Sequence, residues 1–184
     1  TLTASDIESI VGGTGVDDIT LSTAISGLAI DLGGSNGDKL TLADGGNNLS
    51  ASNVETIVGN SGADIVTLGA VVSDGTFNLG AGADQLILQN GSNNLTSTGI
   101  ETITGGTGAD TVTLGTAQTS GTFSLGAGID RLNLSSLGAN TLSLDASVEQ
   151  VNGGTLADAI TLTQAVSGAV YDLAAGADVL SLAS

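Results

Sequence analysis

Polar and apolar positions alternate along this chain in short bursts. Val112 and Leu114 are apolar between Thr111 and Thr113, Phe123 stands between Thr122 and Ser124, and Leu132 between Arg131 and Asn133. Period two is the pattern of a strand with one buried face, and no stretch carries the 3.6-residue spacing of a helix. Glycine-rich segments separate the bursts, which are too short to be sandwich strands joined by ordinary hairpins. The pattern therefore predicts short strands that turn at glycine corners.

The bursts belong to a longer repeat. The segment 7–21 returns near residues 54, 100 and 148, and its Glu members Glu8, Glu55, Glu101 and Glu149 lie 47, 46 and 48 residues apart. Asp17, Asp64, Asp110 and Asp158 keep the same spacings. A second Gly-rich turn in each unit ends at Asp38, Asp84, Asp130 or Asp178, each 20 or 21 residues after its predecessor, which makes eight related turns. A period in this range marks a solenoid, propeller or array. The expected fold is all-β: a right-handed parallel β-solenoid, β-roll or β-helix-like, of four repeats of about 46 residues. The units run about 7–53, 54–99, 100–147 and 148–184, each read as two coils, so that eight coils bring the Asp turns into one corner column. Residues 1–184 read as a single repeat array, and the lack of any Met reads as a slice of a longer protein.

Three further positions acquire expectations from this alignment. Phe77, Phe123 and Tyr171 fall where Ile30 stands in the first unit, on the leucine-bearing face, and are expected in the core. Asn48, Asn94 and Asn140 are 46 residues apart and are expected to form an asparagine ladder. The Glu column is expected to be a solvated outward position, the alternative being a second cation ladder.

Composition narrows the chemistry. Nineteen acidic residues against Lys39 and Arg131 give a formal net charge of -17, which excludes nucleic acid as a partner and points to cations. The chain has no Cys and no His, so disulfides, zinc, iron-sulfur clusters and His-based proton transfer are excluded, while oxygen ligation of a hard cation stays open. At 40% hydrophobic residues it is too apolar for an acidic disordered tail. No stretch reads as a membrane span or signal peptide, and the absence of Cys fits a secreted bacterial protein.

One motif speaks to a specific cation. Gly105 through Thr113 and Gly12 through Thr20 both fit the nonapeptide G-G-x-G-x-D-x-U-x. The chain thus resembles the hemolysin-type (RTX) calcium-binding repeat proteins of bacterial secreted or cell-surface type, in a diluted form with a period of about 46 residues. The resemblance implies calcium between turns of successive coils, held by Gly-turn carbonyls and one oxygen each from Asp17, Asp38, Asp64, Asp84, Asp110, Asp130, Asp158 and Asp178. The departures are plain. RTX turns recur every nine residues, whereas these lie 20 to 28 apart, Asn36 and Leu156 replace the third Gly of their turns, and Leu79, Leu125 and Leu173 replace the first.

These observations lead to a structural, extracellular repeat rod, stabilised by calcium, of a bacterial surface adhesin, filament, matrix or S-layer-like protein. Calcium ions are the expected partners, with end-to-end or lateral self-association into filaments. The alternative is the calcium-dependent folding and secretion module of a type I secreted toxin or enzyme. Catalysis is not expected, because polysaccharide-cleaving β-helices place clustered Asp with Lys or Arg in a cleft between long loops and no such loops are legible here. An ice-binding face built on Thr20, Thr67, Thr113 and Thr161 is interrupted by Thr41, Ile87, Asn133 and Ser181 in the intervening coils.

Overall fold

The computed structural model describes residues 2–4 and 7–183, and within them the alternating bursts become twenty strands. The odd-numbered ones are β1 (Leu2–Ala4), β3 (Asp18–Leu21), β5 (Lys39–Thr41), β7 (Thr56–Ser61), β9 (Gly75–Ala81), β11 (Asn94–Thr98), β13 (Thr111–Leu114), β15 (Arg131–Asn133), β17 (Gln150–Asn152) and β19 (Val170–Asp172). The even-numbered ones are β2 (Ser9–Gly13), β4 (Ser26–Gly33), β6 (Asn48–Ser52), β8 (Ile65–Leu68), β10 (Gln85–Ile87), β12 (Thr102–Thr104), β14 (Gly121–Ser124), β16 (Thr141–Leu144), β18 (Ala159–Leu162) and β20 (Val179–Ser181). Each set is one ten-stranded parallel sheet whose strands follow chain order. The chain passes from one sheet to the other at every corner, so two strands and two corners make a turn. The product is a parallel β-solenoid of ten stacked strand layers, a rod roughly 43 Å long from first to last layer at about 4.8 Å per strand.

Period-two alternation explains the core. In β3, Ile19 and Leu21 are buried between Asp18 and Thr20, and the same pattern recurs in β8, β13 and β16. The inward side chains of both sheets share a single apolar layer in which Leu32, Leu40, Ile57, Phe77, Leu86, Ile103, Phe123 and Leu132 are fully buried. Each such side chain contributes about 1.5–3 kcal/mol when taken out of water.

The turn is finer than the sequence period suggests. Units 7–53, 54–99 and 100–147 each hold five strands, and a turn uses two, so a unit spans two and a half turns where two were expected. Equivalent residues of successive units therefore lie on opposite sheets. Ile30 is in β4, Phe77 in β9, Phe123 in β14 and Tyr171 in β19. Phe77 and Phe123 are fully buried, and the half-buried Tyr171 donates its hydroxyl to the Val148 carbonyl at 2.7 Å. The aromatics thus point inward as expected, but from alternate sheets. Likewise Thr20 pairs with Thr41 and Thr113 with Asn133 in the odd sheet, whereas Thr67 pairs with Ile87 and Thr161 with Ser181 in the even one.

Stacked turns approach closely at an equivalent glycine of every unit. A Cβ on Gly59 would lie 2.1 Å from the Leu79 carbonyl oxygen, and Gly12, Gly105 and Gly153 face Leu32, Leu125 and Leu173 in the same way at 2.4, 2.0 and 2.1 Å. The obstacle is backbone, which no rotamer change relieves. Gly59→Ala is accordingly expected to cost about 1–3 kcal/mol by overpacking. Gly13→Ala, with nothing within 4 Å of the added methyl, is the matched control. Equal denaturation midpoints for the two variants would show that the turns spread without cost.

A candidate cation site along the two edges

The residue just before a strand decides how its corner is closed. A tight corner leaves the amide of that residue without a partner in its own turn, and a buried amide must find an acceptor. The acceptor comes from the next turn, as a side-chain oxygen. On the edge that precedes the even strands, the amide of Asn47 donates to Asp64 Oδ1 (2.8 Å), that of Asp64 to Asp84 Oδ1 (2.8 Å), and that of Asp84 to Glu101 Oε2 (2.9 Å). On the opposite edge the amides of Asn93, Asp110 and Asp130 donate to Asp110 Oδ1, Asp130 Oδ1 and Glu149 Oε2 at 2.8, 2.7 and 2.8 Å. The same order, Asn, Asp, Asp, Glu, repeats on both edges.

Partial ladders extend the two blocks. The amide of Asp17 donates to Asp38 Oδ1 at 2.7 Å and that of Asp38 to Glu55 Oε2 at 2.9 Å, while the amide of Asn140 donates to Asp158 Oδ1 at 2.9 Å and that of Asp158 to Asp178 Oδ1 at 2.8 Å. The eight candidate aspartates are therefore all corner residues, divided between two edges. Asp17, Asp38, Asp110 and Asp130 precede odd strands, and Asp64, Asp84, Asp158 and Asp178 precede even ones. The single column expected from the sequence becomes two, because an odd number of strands per unit moves each new pair to the other side.

Two sequence readings need correction. The structural asparagines are Asn47, Asn93 and Asn140, buried to 1%, 2% and 0% exposure, whereas Asn48 and Asn94 are exposed at the starts of β6 and β11. They do not stack on one another. Each sends Nδ2 to the Asp Oδ1 of the next turn at 2.8–2.9 Å and to two carbonyls of its own corner, Ala43 and Gly45 in the case of Asn47. The Glu column is not a purely solvated one either. Glu55, Glu101 and Glu149 are half-buried and close the ladders. The available signal was the distance from the preceding Asp, 17 residues for Glu55 and Glu101 and 19 for Glu149, which is the length of one turn.

The second carboxylate oxygens carry the chemistry. Asp17 Oδ2 and Asp158 Oδ2 accept amides of their own corners, from Gly13 at 3.3 Å and Gly154 at 3.1 Å. The Oδ2 atoms of Asp38, Asp64, Asp84, Asp110 and Asp130 are buried with no hydrogen-bond partner. A buried charge without compensation is expensive, which favours a cation beside such an oxygen. Burial pushes Asp84 and Asp130 each up to about 6, against the relief of the amide each accepts, and the neighbouring carboxylates Asp64 and Glu101, or Asp110 and Glu149, push further the same way. Burial raises Asp110 as well, opposed by its bonds from Asn93.

Among the described residues no group of three or more carboxylates converges as a metal cluster. A cation here would have to draw on one carboxylate oxygen per turn together with backbone carbonyls, which suits a hard ion. Arg131, next to Asp130, turns outward and donates to Gln150 Oε1 from Nε at 2.9 Å and Nη2 at 2.6 Å. Comparison with family models, with curated proteins and with solved structures finds no match to the chain.

Proposed function

We propose that the chain is a non-catalytic structural rod of an extracellular bacterial protein, of the adhesin, filament, matrix or S-layer-like kind, stiffened by calcium bound along its two edges. The observation that carries this reading is the set of five buried aspartate oxygens without a donor, on Asp38, Asp64, Asp84, Asp110 and Asp130. The repeated turn motif makes calcium the favoured ion, and a chain at -17 gains from any counterion that enters its interior. Outside the cell calcium is abundant, so its binding would couple secretion to rigidity.

Self-association into filaments belongs to the same proposal. No helix among the described residues is long and apolar enough to cross a membrane.

Thermal melting followed by circular dichroism, with millimolar calcium and again with a chelator, tests the mechanism. The expected result is a β signal in both and a melting temperature several degrees higher with calcium, since a ligand at 100 times its dissociation constant adds about 2.7 kcal/mol. Superimposable melts would sink the calcium mechanism and leave the rod standing.

A further inference from the structure

Each unit repeats a second feature, placed one step beyond its Glu. The amides of Ile25, Val72 and Gln118 donate to the Oδ1 atoms of Asn47, Asn93 and Asn140 at 3.2, 3.1 and 3.1 Å. Those of Ala29, Thr76 and Thr122 donate to the carbonyls of Glu8, Glu55 and Glu101 at 3.5, 2.7 and 2.8 Å. Ile25, Val72 and Gln118 are thus structural equivalents in the first three units. Where the side chain is Ile25 or Val72 a groove opens beside the Glu, of about 240 Å³ next to Glu8 and about 330 Å³ next to Glu55.

In the third unit Gln118 occupies that place. It is 7% exposed, its Nε2 donates to the Ser120 carbonyl at 2.9 Å, and the same nitrogen reaches Glu101 Oε1 at 3.5 Å. The Glu101 carboxylate is divided between two tasks, because its Oε2 holds the ladder amide of Asp84. Glu55 has the same ladder task, with Oε2 accepting the amides of Gly37 and Asp38, both at 2.9 Å. Val72 has no donor to set beside the other oxygen.

We propose that the grooves beside Glu55 and Glu8 bind a lysine side chain of a partner protein, its ammonium replacing the Gln118 carboxamide nitrogen. The ammonium supplies N–H donors to the carboxylate, and the net charge of -17 favours a cation over a neutral amide. The methylene stem lies along Val71 and Val72, which line the Glu55 groove, as long cationic side chains do on apolar surface. The two grooves lie on opposite edges, since Glu55 precedes an odd strand and Glu8 an even one. A ligand seated in one groove therefore does not reach the Glu of the other.

The test is an NMR titration of the folded chain in a chelator at low ionic strength, with N-acetyl-lysine methylamide as probe. Saturable shifts of the amides of residues 33–36 and 71–73 are expected, with a dissociation constant in the millimolar range, about that of a single charged contact. Val72→Gln, which rebuilds the third unit's arrangement and leaves the ladder intact, is expected to weaken binding there about fivefold or more while the shifts beside Glu8 persist. N-acetyl-norleucine methylamide, with the stem but no ammonium, is expected to give no saturable shift. Equal shifts with tetramethylammonium, which has no N–H, or an unchanged affinity in V72Q, would reduce the effect to general charge attraction and overturn the proposal. Tighter binding of putrescine than of the lysine probe would overturn the assignment to a lysine.

Discussion

Asp110→Asn is expected to melt a few degrees above the unsubstituted chain at pH 7 in a chelator, and Asp110→Ala several degrees below it. Asp110 Oδ1 accepts both the backbone amide and Nδ2 of Asn93, at 2.8 and 2.9 Å, while its Oδ2 is buried without a partner. Asparagine keeps the acceptor and removes the buried charge. Its new amide group finds acceptors if the corner behaves as those of Asn47 and Asn93 do, where Nδ2 donates to the carbonyls two and four residues back. Gly108, two residues before Asp110, has φ of 109° and matches Gly45 at 93° and Gly91 at 111°, so the corner is built alike.

Alanine instead strands two donors in the interior. Each stranded donor costs about 1–3 kcal/mol, and relief of the carboxylate's burial offsets only part of that, so a net loss of about 2 kcal/mol is expected. For a chain of this size that corresponds to roughly 4–8 °C. Under the proposed calcium binding the order is expected to change, because Asp110→Asn removes a carboxylate oxygen offered to the ion and gains less from it than the unsubstituted chain does. Thermal melts of the three proteins with and without calcium check both statements. An Asn variant less stable than the unsubstituted chain in chelator would falsify the account of Asp110 as a buried, uncompensated charge.

Acidification is expected to stabilise the ion-free rod. Asp84 and Asp130 are raised in the folded chain from 3.8 to about 6, so the folded state binds their protons more tightly than the unfolded one. The stability that these protons contribute is fully present below the unfolded value and is lost as pH rises through about 6. The window lies between about pH 4 and 7, and each carboxylate contributes on the order of 2–3 kcal/mol across it. Melting temperature in chelator should therefore climb as pH falls from 7 to 5, a range kept above the isoelectric point of about 4.1 to avoid precipitation. Under the proposed calcium binding, protons would compete with the ion, and the climb should flatten or reverse. A melting temperature in chelator that is level or falling toward pH 5 is the result that excludes strained carboxylates at these corners.

Both expectations rest on side chains whose presence was legible in the sequence but whose pairing was not. The alternation of Thr111 to Leu114 with its glycine neighbours specified strand and corner, because burial of one strand face is a local, period-two property. The eight aspartates were legible as one class for the same reason. What stayed hidden was closure. A turn of 17 to 22 residues is set by how two strands and two corners stack on the preceding turn, and the unit of about 46 residues is not a whole multiple of it. Asn47 and Asn48 cannot be told apart in the sequence, since adjacent asparagines look alike until a backbone shows which one faces inward. Glu101 reads as solvated in the sequence because its role depends on the amide of Asp84, one turn away.

The sequence by itself therefore determined an all-β, repetitive solenoid, its inward leucines and phenylalanines, its glycine corners and the acidic residues set in them. These follow from interactions within a few residues or from identity repeated at fixed spacing. Only the tertiary structure decided that each unit takes two and a half turns, that the acidic corners form two columns on opposite edges, and that their amides and carboxylates link turn to turn. Those facts depend on contacts 17 to 22 residues apart along the chain, where the closing geometry of the backbone, and not the period of the side chains, selects the partner.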